Sequence, residues 1–169
     1  MAKLESEIAR LIREYQGKTG KSLTIGTVES ATGGRIADRI TSVPGSSEYF
    51  KGSVVAYSNE VKIALPGVKK ATLEKSGAVS EQTAVEMAQG GRKLLDVDIC
   101  VSDTGIAGPE GDTPGKPVGL FYLGLASRDT SFSQKHVFPG NREENKRDAA
   151  EAALNMLQQY LLRRFRVRG

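Results

Sequence analysis

At 169 residues, with 38% apolar and 26% charged side chains, the chain has one domain's length and enough apolar matter for a core, which excludes a disordered chain. No apolar run nears the ~18 residues of a bilayer span, and one cysteine (Cys100) with one histidine (His136) excludes an intrachain disulfide scaffold and an ordinary zinc site. The net charge of +4 resides in Arg163, Arg164, Arg166 and Arg168; the remaining 20 basic residues match 20 acidic ones, so these arginines read as cations at a helix end and no nucleic-acid partner is expected.

The opening MAKLESEIARLIREYQ lacks the continuous apolar stretch of a secretory leader, so a cytoplasmic location is expected. Leu4, Ile8, Leu11, Ile12 and Tyr15 recur at helical spacing and predict a helix over 3–16. SLTIGTVES (22–30) is apolar without polar alternation, as a strand covered on both faces requires. ATGGRIADRITSV follows as a glycine turn and helix closed by Pro44 and Gly45. GSVVAYS (52–58) predicts a second strand, and NEVKIAL a short helix stopped by Pro66. Ser80 caps a helix over 81–95. VDICVSDTG (97–105) predicts a third strand, and VGLFYLGLAS and SFSQKHVF a hairpin turning at 128–130. A last helix spans about 142–165. Buried strands alternating with helices predict a single α/β domain of three α/β/α layers, its sheet mixed because of the hairpin, over 1–162 with a basic tail at 163–169.

Ligands of such folds gather where strands end and helices begin. Glu29-Ser30-Ala31-Thr32-Gly33-Gly34 sets a serine hydroxyl before a glycine turn and helix amides, without the Gly-x-Ser-x-Gly spacing of a nucleophile elbow. His136, amid Phe132, Val137 and Phe138 on a hairpin strand, is read as a packing or surface residue and not as the base. Lys62, in Tyr57-Ser58-Asn59-Glu60-Val61-Lys62, can take that role if burial lowers its pKa, the alternative being a solvated helix lysine. The loop Thr104-Gly105-Ile106-Ala107-Gly108-Pro109 and onward to Pro117 fails as a Walker motif and reads as a binding wall. Arg142 and Arg147 start the last helix, where an anion could bind or where they are plain surface cations; Cys100 reads as a small core residue.

Taken together, the Glu29–Gly34 stretch, the run from Pro44-Gly45-Ser46-Ser47 to Lys62, Gly77-Ala78-Val79-Ser80, Thr104–Pro109, Lys116-Pro117-Val118-Gly119 and Gly140-Asn141-Arg142 resemble the C-terminal domain of the competence and damage-inducible protein CinA. Ala31, Asp112 and Lys146 depart from the residues common in that family. The resemblance implies an amidohydrolase that converts nicotinamide mononucleotide and water to nicotinic acid mononucleotide and ammonia, needing no metal or cofactor. It implies Ser30 as nucleophile with Lys62 and Tyr57. From the loop and helix-start positions, substrate contacts are expected from Ala31, Thr32, Gly33, Gly34, Thr104, Gly105 and Arg142. Oxyanion donors are expected at Ala31 and near Gly33 or Gly105. A non-catalytic nucleotide-binding or regulatory module is the alternative; a small-molecule nucleotide, no membrane and a homo-oligomer are the partner expectations.

Overall fold

The computed structural model describes residues 3–167. Helix α1 (Leu4–Thr19) leads through an extended segment into β1 (Ile25–Glu29), and all five β1 residues are buried, as its unbroken apolar run requires. Helix α2 (Arg35–Thr41) follows, and after a 3-10 turn come β2 (Phe50–Val55), α3 (Asn59–Ala64), α4 (Lys70–Ser76) and α5 (Glu81–Leu94). Strands β3 (Ile99–Gly105), β4 (Leu120–Ala126) and β5 (Ser131–Val137) precede α6 (Arg142–Val167).

The strands lie in the order β2-β1-β3-β4-β5, with β2, β1 and β3 parallel and β4 and β5 antiparallel. The expected mixed sheet is therefore present, with its hairpin. One face packs Ile25, Val101 and Leu123 against Ile8 and Ile12 of α1, Ile36 of α2 and Leu157 of α6. On the other face, Val28 and Cys100 meet Met87 of α5. Cys100 is a buried core residue, and burial pushes its thiol up to about 12. Gly91 makes this contact close, since a β-carbon there would stand 2.3 Å from Val28 Cγ2 and 2.7 Å from Cys100 Sγ.

The glycine turn expected after β1 is present, whereas one helix, α4, was not anticipated. Residues 31–34 form that turn and α2 begins at Arg35, because Gly33 and Gly34 adopt φ values of 62° and 102° that a helix does not use. Helix α4 was not expected: it buries no residue, so its sequence carries little apolar period. Helix α6, expected to end near 165, runs to Val167, so the basic segment from 163 is helical that far. Within it Arg164 donates to the Tyr160 hydroxyl (3.0 Å) and Phe165 stacks on Tyr15 at 5.0 Å; Arg168 lies outside the described residues. Among the described residues no helix is long and apolar enough to cross a membrane.

Candidate active site

Because β1, β2 and β3 are parallel, their carboxyl ends meet at one edge of the sheet, and the segments leaving them surround a cleft of ≈ 260 Å³. Ser30 and Ala31 come from the end of β1, Tyr57, Asn59 and Lys62 from β2 and α3, Thr104 to Gly108 from β3, and Arg142 from the start of α6. A larger hollow of ≈ 570 Å³ between α5 and the β4–β5 turn contains Ser127 and Ser131, but Ser131 accepts from Gln89 and Ser127 bonds Thr130, so neither meets a base.

Lys62 owes its position to a short helix. Ser58 caps α3 by accepting the Val61 amide at 3.2 Å, and this turns Lys62 inward to an exposure of 2%. Its Nζ lies 3.0 Å from Ser30 Oγ, 2.9 Å from the Ala56 carbonyl and 2.8 Å from the Tyr57 carbonyl. A neutral amine has two hydrogens and one lone pair. In that form the two carbonyls can take the hydrogens and the lone pair can accept from the Ser30 hydroxyl; the ammonium form donates to all three oxygens. Burial supports the neutral state by lowering the lysine's pKa, while the charge of Asp103 works in the opposite direction. His136, by contrast, is half-buried on β5 and stacks on Phe138 at 5.4 Å.

The turn after Ser30 is organised by two buried acids that sequence reasoning missed. Glu29, 0% exposed, accepts the amides of Gly34 (3.1 Å), Ile36 (3.0 Å) and Ala37 (2.9 Å), so its carboxylate holds the α2 N-terminus. Asp103, also 0% exposed, accepts the amides of Ser30 (3.0 Å) and Thr32 (3.1 Å). Burial, opposed in part by those hydrogen bonds, raises the Asp103 carboxyl to about 6. Each acid did leave a signal, because a carboxylate inside an apolar strand must have a partner to be tolerated.

Thr32, Gly33 and Gly34 do not line the cleft. Thr32 is fully buried with its hydroxyl on Glu29 and Asp103, Gly33 donates to the Ser30 carbonyl (3.1 Å), and Gly34 donates to Glu29. Their expected substrate contacts, and an oxyanion donor at Gly33, are therefore set aside: those groups are already used in the turn. Among the amides of residues 30–34, Ala31 alone has no partner among the described residues.

Thr104 and Gly105 line the cleft, and Thr104 Oγ1 donates to the Ala78 carbonyl (2.7 Å), which fixes the Ala78-Val79 wall. Arg142 donates to the Gly108 carbonyl (2.7 Å) and to the Tyr57 hydroxyl (3.3 Å). Tyr57 thus faces two ways: its carbonyl holds Lys62 while its ring, in a residue 62% exposed, stands at the rim beside Arg142. Lys146 extends over the turn, with Nζ 3.5 Å from where a β-carbon on Gly33 would stand, whereas Arg147 turns away to Asp148 at 3.0 Å. No group of three His, Cys, Asp or Glu suited to a metal occurs among the described residues.

Residues 3–161 match the CinA C-terminal domain. The chain is 50% identical over 159 residues to a protein of Halothermothrix orenii whose name marks it as competence-damage inducible, and 48% identical over 159 residues to a CinA-like protein of Kosmotoga olearia. In each case that is 94% of this chain but 37% of the relative, so the chain spans less than two-fifths of those proteins. The crystal structure of a competence-damaged protein (CinA) superfamily protein from Klebsiella pneumoniae superposes with a TM-score of 0.88 at 29% identity, covering 95% of this chain and 96% of that one. On the family match over nearly its whole length, the chain belongs to the CinA C-terminal domain family.

Proposed function

We propose that this domain is an amidohydrolase that deamidates nicotinamide mononucleotide through a Ser30 nucleophile and a Lys62 base. The observation that carries the reading is the Lys62 amine, buried, held by two carbonyls and 3.0 Å from Ser30 Oγ. Lys62 removes the Ser30 proton as Oγ attacks the carboxamide carbon. The tetrahedral oxyanion is met by the Ala31 amide, whose partner-free state leaves it available at the cleft wall. Collapse expels ammonia with the proton that Lys62 returns, and water then releases the nicotinic acid ester from Ser30 by the same base.

Arg142, exposed at the start of α6 and lining the cleft, is suited to the substrate phosphate, since its guanidinium stands at the rim beside the Tyr57 hydroxyl and can pair with an anion there. The Tyr57 ring and Arg142 together form the rim that such a nucleotide crosses. The test is ammonia release from nicotinamide mononucleotide by the purified chain, with nicotinic acid mononucleotide as the second product. Binding without ammonia release would make the cleft that of a nucleotide-binding module.

A further inference from the structure

Behind Ser30, away from the cleft, the hydrogens do not suffice for the acceptors. Thr32 Oγ1 lies 2.7 Å from Glu29 Oε1 and 2.5 Å from Asp103 Oδ1, yet a hydroxyl carries one hydrogen. With both acids ionised, one of these contacts sets oxygen against oxygen without a hydrogen. Both contacts become hydrogen bonds once one acid is protonated. Glu29 already accepts three backbone amides at the start of α2, against two for Asp103, so the proton belongs on Asp103. Asp103 then donates to Thr32, and Thr32 donates to Glu29.

The same Asp103 oxygen accepts the Ser30 amide, and the Ser30 hydroxyl meets Lys62, so a single residue separates the acid from the amine. We propose that Asp103 is a positioning residue that sets the basicity of Lys62 across Ser30, and that Thr32 makes its charge conditional by holding a proton between Asp103 and Glu29. This rests on the reading of Lys62 as the base. The charged neighbours are few: Glu29 from β1 and Lys62 from α3 face Asp103, and from α6 Lys146 lies over Gly33 on the far side of the turn. When the proton leaves, the Glu29–Asp103 pair goes from one negative charge to two, and the added charge favours the ammonium form of Lys62. It supports the proton that Lys62 takes from Ser30, much as a buried carboxylate supports the imidazolium of a serine protease triad.

The experiment follows charge directly and needs no substrate: an NMR titration of the full chain with labelled aspartate Cγ and lysine Cε, the signals assigned from Asp103→Asn and Lys62→Met. The expected result is a Lys62 signal with two inflections, the first coinciding with the Asp103 titration near pH 6. In Asp103→Asn the first inflection disappears and the second moves to lower pH. Where Asp103→Asn does not fold, the wild-type inflections decide alone. A Lys62 signal that stays flat through the Asp103 titration overturns the proposal. An absence of ammonia release leaves this titration intact and bears only on the deamidase reading.

Discussion

At Ser30 and Lys62 a few ångströms separate a nucleophile from two bland residues. Removing the hydroxyl leaves the cleft wall in place, so Ser30→Ala is expected to lower kcat by roughly 10³-fold or more while nicotinamide mononucleotide still binds. Single-turnover and binding measurements check both halves; turnover within a few-fold of wild type excludes covalent catalysis by Ser30. Lys62→Arg keeps the charge but not the lone pair, because guanidinium stays protonated above pH ~12. It is expected to be inactive at every pH at which the fold survives. Arg142 separates binding from chemistry, since it reaches the rim and not Ser30. Arg142→Ala is expected to lower kcat/KM for the mononucleotide by roughly 1.5 to 3 kcal/mol, the value of one charge-assisted hydrogen bond, and to leave the phosphate-free riboside unchanged. Equal losses on both substrates assign Arg142 to holding the Gly108 loop.

Helix α2 shows how an element depends on one buried acid. It has only two turns, with no side-chain cap at Gly34, and the Glu29 carboxylate fills that role from the end of β1 by accepting three of its first amides. Glu29→Gln keeps the shape but replaces one acceptor oxygen with a donor, so unfolding free energy is expected to fall by about 2 to 4 kcal/mol. Denaturant titration checks this, and an unchanged midpoint with unchanged slope contradicts the capping role. The strands and the long helices were legible because apolar period and chain punctuation report on them locally, whereas Ser30, Lys62 and Arg142 were only candidates by position, and the roles of Ser30 and Lys62 came from the family resemblance. The roles of Glu29 and Asp103 were not legible, because which amides a buried carboxylate accepts depends on the fold: Glu29 reaches forward to Gly34, Ile36 and Ala37, and Asp103 meets residues 71 and 73 positions away. The turn at 31–34 was legible, but its hydrogen bonding was not. Its glycines signal a backbone change, but which amides remain free depends on where both acids lie.

For the whole molecule, the site stores opposing electrostatic costs at the carboxyl ends of the parallel strands, beside the apolar core. Asp103 is raised from 3.8 to about 6, so its burial is free of cost below pH ~4 and that advantage is lost as the pH rises through 6. Lys62 has the opposite sign. Its folded pKa lies below the unfolded value of about 10.4, so between the two the unfolded chain holds a proton that the folded chain does not. Stability contributed by this group is complete above the unfolded value and is lost as the pH falls through the folded one. Lys62→Met removes the titration together with the hydrogen bonds to the Ala56 and Tyr57 carbonyls, and that second loss does not vary with pH. The pH dependence of the difference therefore isolates the charge. Relative to wild type, Lys62→Met is expected to be most favoured near neutral pH and to lose ground steadily as the pH rises toward 10, read as the difference in Tm or in denaturant midpoint. A difference that stays constant over this range means that Lys62 titrates as an exposed lysine does, and such an amine cannot serve as the base for Ser30.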